Sequence, residues 1–314
     1  MNKIFSLLLT TMFISAYPGM PENIPPEALK KMPPEMMERF MSGMGDDDEF
    51  ETLADFFADN EIETSEGFLT LHRNVEDDEY FLELTEEDLD REFIYFAYLL
   101  NAPQAAGVRG GAIGQGAILE FRRFKDGLAL YKKNTYFSNE TDNNIGKADL
   151  TNIVEAFLEN FSIVVEDEGK IIISVDDLFK SETLTNVSPN LPPEYRDFVA
   201  LNLGRLDSSK TFVNQVRNYP KNTAVEVVFG FSNSNPNQRR AVYAVADARY
   251  TSISGRHLFV EMPDDGFEPR IADQRVGYFS QRVTDMSTYD NYPQRDLINK
   301  WRLVKKDPSA ELSE

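Results

Sequence analysis

From residue 67 onward the chain is dominated by short runs in which apolar and polar positions alternate, the period that puts one face of a strand in a core and the other in water. This pattern predicts strands over Gly67 to Arg73, Tyr80 to Leu84, Ala117 to Phe124, Leu128 to Lys132, Phe161 to Val165 and Lys170 to Val175. Two more are predicted over Thr223 to Phe231 and Arg240 to Arg249, separated by the polar loop Ser232 to Gln238. The apolar run Phe93 to Leu100 is too short for periodicity to separate helix from strand, and it is read as a strand. Lys125, Asp126 and Gly127 mark one hairpin turn, and Asp167, Glu168 and Gly169 mark the clearest one. Thr85, Glu86, Glu87 and Asp88 read as a polar turn or a capped helical start.

Helical periodicity is confined to a few places. Lys147 to Asn160 carries Leu150, Ile153, Val154, Phe157 and Leu158 at three-and-four spacing, which predicts one amphipathic helix. A proline-marked link at Leu191, Pro192 and Pro193 precedes a helix-like piece from Glu194 to Leu203. The fold class that follows is mainly β with minor α, an α+β arrangement of antiparallel sheets packed as a sandwich or two-sheet system with a few short helices.

Ahead of the strands the texture differs. Lys3 precedes an apolar run from Ile4 to Ala16, shorter than the ~20 residues a membrane span needs, and this predicts a signal peptide over residues 1–16. Export is therefore expected, to the periplasm, cell surface or extracellular space, with membrane contact only transiently through the leader. Residues 17–64 form a linker rich in proline, methionine and acid, including the run Asp46, Asp47, Asp48 and Glu49. The β-rich domain is placed at 65–306, with a subdivision possible near 190, and a polar tail at 307–314.

Composition narrows the chemistry. The 314 residues are 41% apolar, enough to bury a sizeable core, and a formal net charge of −21 repels phosphate backbones, so nucleic acid is not an expected partner. There is no cysteine. The two histidines, His72 and His257, each sit in a strand-like run and neither begins HExxH, the spacing that places two zinc ligands on one helical face. Each is read as an ordinary surface or hydrogen-bonded histidine. Gly230, Phe231, Ser232, Asn233 and Ser234 lack the second glycine of a GxSxG elbow. Asp176 and Asp177 are paired carboxylates at a strand end, read as a helix cap. No metal or cofactor is expected in this chain.

Two segments stand out as structural or binding candidates. Arg109, Gly110, Gly111, Gly114 and Gly116 form a glycine-rich stretch, but no Lys-Ser/Thr follows and the next segment reads as a strand, so it fits no phosphate loop. It is read as a flexible loop or a bulged strand entrance. In Pro269 to Phe279, Arg270 and Arg275 flank Asp273 for a bidentate ion pair, and Gly277 is expected to permit a bend that turns Tyr278 and Phe279 inward.

These residues resemble the amino-terminal domain-of-unknown-function region of large exported bacterial zinc-dependent metalloproteases. The resemblance rests on Gly67 to Arg73, the Arg109 to Gly116 loop with its following strand, PRIADQRVGYF from Pro269 to Phe279, and Lys300, Trp301, Arg302 and Leu303. It covers about Gly67 to Lys306, and Lys300 stands where the family typically has arginine. The resemblance implies a zincin-like catalytic region with its zinc beyond Glu314, and it transfers no zinc ligand to this chain. The expected function is a non-catalytic module supporting the carboxyl-terminal metalloprotease region or binding peptide, with Gly110 to Leu119 as the candidate edge for strand pairing. A stand-alone periplasmic or surface binding protein is the alternative, and a hydrolase using only carboxylates is a third possibility.

Overall fold

The computed structural model describes residues 50–59, 61–114, 116–138, 153–188, 199–236, 243–264, 266–273, 275–288, 290–301, 305 and 307–312. The leader, the methionine-rich stretch and the acid run lie outside these residues. Helix α1 (Leu53–Asp59) is followed by β1 (Ile62–Ser65), β2 (Thr70–Asn74), β3 (Glu79–Thr85), a 3-10 turn at Glu86–Asp88 and β4 (Glu92–Asn101). Next come β5 (Ala117–Phe124), β6 (Gly127–Lys132), β7 (Phe137–Ser138), β8 (Ala156–Asp167), β9 (Lys170–Ser174) and α2 (Asp176–Lys180). The last third holds β10 (Arg205–Leu206), β11 (Phe212–Tyr219), β12 (Asn222–Ser232), β13 (Tyr250–Glu261), β14 (Ser280–Asp285) and β15 (Gln294–Ile298).

The protein is mainly β. Twelve strands form one antiparallel sheet in the order β1-β2-β3-β9-β8-β6-β5-β4-β13-β12-β10, with β11 also on β12. The pairing joins these twelve strands into one continuous hydrogen-bonded path. β8 explains the continuity: its first half pairs with β6 and its second with β9, with a register irregularity between Ile163 and Val165. Such a bulge bends a strand and lets it serve two directions.

The far ends of the path are tied together. The Phe68 N–H donates to the Tyr219 carbonyl at 2.8 Å, and Asn218 Nδ2 donates to the Ser65 and Leu69 carbonyls at 2.8 and 2.5 Å. The sheet thus rolls around one apolar cluster fed by alternate residues of most of its strands, among them Leu71, Leu82, Tyr95, Phe121, Val227 and Phe259. Burying each such side chain stabilises the fold by ~1.5–3 kcal/mol.

Local chemistry explains the turns and one uninterrupted apolar run. Glu168 and Gly169 both have positive φ (50° and 79°), the geometry of a two-residue hairpin whose twist matches its strands. β9 is buried on both faces because Ile171 and Ile173 face the interior, whereas Ile172 meets α1 through Phe56, Phe81 and Val165. α1 is further held by the Leu53 N–H donating to Asp167 Oδ2 at 3.2 Å. So the stretch expected as linker to residue 64 contributes a helix and an edge strand at its end.

Three further expectations change. The helix predicted over Lys147 to Asn160 is a strand from Ala156 onward, with 147–152 outside the described residues. Phe157 pairs with Tyr131 and packs edge-on against it and Phe124, so cross-strand contacts override the helical spacing. The strand predicted over Arg240 to Arg249 is turns across 243–249, and the real strand is β13. Its inward positions include Gly255 and His257 between Ile253 and Phe259, which hides the alternation. The Glu194 to Leu203 helix falls mostly outside the described residues, and 199–203 are not helical.

β14 lies between β15 and β7 in a second, three-stranded sheet, with β7 parallel to β14. Ile271 bridges Leu297 on the free side of β15. Among the described residues no helix is long and apolar enough to cross a membrane.

Candidate functional site

Among the described residues, 111–114 of the glycine-rich stretch pair on one side, with β4. The Gly111 N–H donates to the Leu99 carbonyl (2.6 Å), the Leu99 N–H to Ala112 (2.9 Å) and the Gly114 N–H to Ala97 (2.8 Å). Ile113 bridges Tyr98 between these bonds. In an antiparallel ladder that makes Ile113 a non-hydrogen-bonded partner, so its own N–H and C=O point away from β4. β6 covers this flank only as far as the Lys133 N–H bond to the Ile118 carbonyl (2.9 Å). The Ile113 side chain is 76% exposed. Of the expected edge Gly110 to Leu119, Ile118 and Leu119 are interior strand, and the open part lies ahead of them.

Two glycines here are required by space or angle. A Cβ at Gly110 would lie 2.9 Å from the Leu100 carbonyl oxygen, and Gly111 has φ +78°. Gly114 sits against Thr185, while Gly116 has only ordinary contacts. Arg109 is exposed, and its carbonyl accepts the Ala112 N–H at 3.3 Å.

Beneath this stretch lies a cavity of about 420 Å³. Its walls include Ala97 and Leu99 of β4, Phe229 of β12, Gly255 and His257 of β13, and the segment from Thr185 to Ser188. His257 is 1% exposed, and burial lowers its pKa to about 4, so the ring is neutral near pH 7. Its Nδ1 lies 2.8 Å from the Tyr95 hydroxyl, whose own pKa burial raises. Its Nε2 lacks a well-formed hydrogen bond, and an interaction of the ring with the Phe179 backbone opposes the burial effect.

The second candidate segment builds the outer side of the small sheet. The Ala272 N–H donates to the Asp296 carbonyl (2.7 Å) and the Ile298 N–H to the Arg270 carbonyl (2.8 Å), so residues 270–272 add a short strand to β15. Arg275 Nε reaches Asp273 Oδ1 and Oδ2 at 2.9 and 3.1 Å, and its Nη2 also bonds Oδ2, forming the expected forked pair. That pair, chiefly its side-chain bonds, lowers the Asp273 pKa, with a smaller contribution from the Arg270 charge. Gly277 has open space around it, and Tyr278 and Phe279 point outward, 54% and 89% exposed, contrary to the inward turn expected. The Asn299 N–H takes the Phe279 carbonyl (2.9 Å), which holds this backbone against the end of β15 while both rings face solvent. Trp301 is 89% exposed. Residues 266–306 carry eight Lys or Arg against five Asp or Glu, a locally basic island on an acidic chain.

Between the sheets, a groove of about 1230 Å³ holds an ion-pair cluster that sequence reading missed. Lys133 Nζ lies 2.9 Å from Glu155, 3.3 Å from Glu92 and 3.3 Å from the buried Glu120. Arg122 bonds Glu120 and Glu155 and lies over the Tyr131 ring. Bonds from Arg122 hold the Glu155 pKa below the usual range. Every charge in the cluster has a partner, which makes it a strut between strands. Spacing of two along β5 aligns Glu120 and Arg122, but Lys133 and Glu155 reach them only through strand order.

The remaining polar candidates are structural. His72 hydrogen-bonds Thr64 Oγ1 (2.9 Å) and Glu83 Oε2 (3.1 Å) across three strands, and burial lowers its pKa. Asp176 and Asp177 open α2, with Asp176 paired to Lys180 at 2.8 Å. Among the described residues no group of three or more His, Asp or Glu is placed to hold a metal ion.

The fold and these two segments define a β-rich module with, among the described residues, a strand edge paired on one side and several exposed aromatic side chains. Residues 110–306 match the family described as Domain of unknown function (DUF5117), and the chain belongs to that family. The match begins at the glycine stretch, so β1 to β4 lie ahead of it although they belong to the same sheet. No curated protein and no solved structure matches the chain.

Proposed function

We propose that the chain is a non-catalytic module of an exported zinc metallopeptidase that takes extended peptide along the edge at Gly111 to Gly114 and packs on the protease part. The observation that carries peptide binding is the one-sided pairing of Ile113, whose backbone groups face away from β4. A strand added there gains main-chain hydrogen bonds irrespective of peptide sequence, which suits a module that presents varied substrates. The link to a protease rests on the resemblance carried by PRIADQRVGYF and the Trp301 region. The exposed Phe279 and Trp301 support a protein partner, because aromatic side chains are enriched in binding hot spots.

Ile113→Pro is the direct test. Proline removes the outward N–H while leaving the Gly114 and Ala112 bonds to β4 in place. Affinity for extended peptides of alternating valine and threonine should fall about tenfold, the equivalent of ~1.4 kcal/mol, with the urea midpoint nearly unchanged. Unaltered affinity in a folded variant contradicts the reading. The alternative, a stand-alone binding protein, is favoured if the purified chain stays monomeric at high concentration despite its aromatic face.

A further inference from the structure

We infer that the edge at Gly111 to Gly114 selects its peptide through the cavity beneath it, which takes one aliphatic side chain, of leucine or isoleucine size, from the added strand. The inference rests on the edge reading above and adds to it a preference for what the peptide carries.

Register fixes which side chains meet. The Leu99 N–H bond to the Ala112 carbonyl and the Gly114 N–H bond to the Ala97 carbonyl place Ala112 opposite Leu99 and Gly114 opposite Ala97, with Ile113 and Tyr98 paired between them. β13 continues the two rows, with Gly255 beside Leu99 and His257 beside Ala97. Ala97 and Leu99 face the interior with Tyr95 of the same strand, so alternation puts Ala112 and Gly114 on that face and Ile113 on the outer one. Four of the six positions in these rows are glycine or alanine. That shortage of side chain leaves the cavity of about 420 Å³, lined elsewhere by Val108, Val187 and Phe229.

The same rows run out to the free flank. Ala112 is half-buried and Gly114 exposed, and neither puts more than a methyl group between the cavity and a strand laid along this edge. In antiparallel pairing, the peptide residue that bonds the outward N–H and C=O of Ile113 shares its outer face, and the residues on either side of it face inward, one beside Ala112 and one beside Gly114. Thr185 occupies the second place, because a Cβ on Gly114 would already meet its Oγ1 at 3.3 Å. The place beside Ala112 leads into the cavity. Wall chemistry sets the class of side chain it takes. Arg256 stands opposite Tyr98 on the outer face, where its guanidinium bonds Tyr98 and Glu226, and His257 is uncharged near pH 7. A carboxylate or ammonium entering here would lose its water without gaining an ionic partner, whereas an aliphatic group gains burial against Leu99, Val187 and Phe229.

The probes are acetylated, amidated threonine heptapeptides with the central residue varied. Leucine at the centre should bind about tenfold more tightly than alanine, and aspartate or lysine no better than alanine. Ile113→Pro should weaken the leucine and alanine peptides alike, whereas Ala112→Leu, which fills the mouth of the cavity, should bring the leucine peptide down to the affinity of the alanine peptide. In the complex with the parent chain, nuclear Overhauser effects should join the peptide leucine methyls to the methyls of Leu99 and Val187, a readout that does not depend on how Ala112→Leu folds. Equal affinity for the leucine and alanine peptides, a leucine preference that survives in folded Ala112→Leu, or absence of those methyl contacts, with Ile113→Pro still weakening both peptides, would overturn the cavity inference and leave the edge reading standing. Peptides that fail to bind, or that bind Ile113→Pro undiminished, would overturn the edge reading and this inference with it.

Discussion

The Tyr95 hydroxyl lies 2.8 Å from Nδ1 of His257, joining two buried groups on the neighbouring strands β4 and β13. Removing the hydroxyl leaves a buried ring nitrogen without its hydrogen-bond partner. Tyr95→Phe should lower stability by about 1–3 kcal/mol in urea unfolding.

The same burial makes stability depend on pH. His257 titrates near 4 in the folded chain against an ordinary value of 6.5, so below 6.5 the unfolded chain binds the extra proton. Stability is complete above that pH and falls as pH drops from 6.5 towards 4, by up to about 3 kcal/mol from this residue. His72, also lowered by burial, adds in the same direction. Urea midpoints of the parent and of His257→Gln, measured from pH 7.5 to 4.5, should converge on acidification; parallel curves would contradict the assignment.

Closure of the sheet hangs on Asn218. Its amide spans two backbone carbonyls of the β1–β2 connection and accepts from Thr223, and a Cβ on Gly67 would overlap it at 2.1 Å. Asn218→Ala should cost about 1–3 kcal/mol, and Gly67→Ala should be destabilising for the complementary reason, a clash where the chain passes closest. Hydrogen exchange should speed up first in β1 and β2 of either variant.

Phe56 is fully buried on the outer face of the sheet, with its ring edge-on to Phe50 and Phe81 at 5.4 and 5.2 Å. Phe56→Ala should cost about 3–5 kcal/mol and detach α1, seen as protease sensitivity near residue 60. An effect below ~1 kcal/mol would mean that α1 is dispensable.

Strands with clean alternation or strong turns were legible from sequence: β5, β6, β9 and the Glu168–Gly169 hairpin lie where the pattern puts them. Those missed share a physical cause. β11 loses its alternation because a register shift between Val213 and Gln215 moves the inward side from Val213 to Val216 and Asn218, and β13 places Gly255 and His257 at inward positions. The helical spacing misleads because Val154 lies ahead of β8 and is exposed, while Phe157, half-exposed within β8, packs across the strands on Tyr131 and Phe124. The glycine stretch and the Asp273–Arg275 pair were visible as unusual residues; the open edge, the cavity and the outward turn of Phe279 depend on strand order, which local pattern does not encode.

The aromatic face yields its own expectation. Replacing Phe279 and Trp301 together with serine should leave the melting temperature within about a degree, because both are almost fully exposed, while reducing any concentration-dependent association seen by analytical ultracentrifugation. A large loss of stability would assign them a structural role instead.

The central claim concerns one amide. Nitrogen-labelled protein should show the Ile113 N–H exchanging rapidly with solvent when free and becoming protected by an extended Val/Thr peptide, while the Gly114 N–H, already bonded to Ala97, changes little. An Ile113 amide that is protected without peptide, or that stays unprotected at saturating peptide, would contradict the open-edge account.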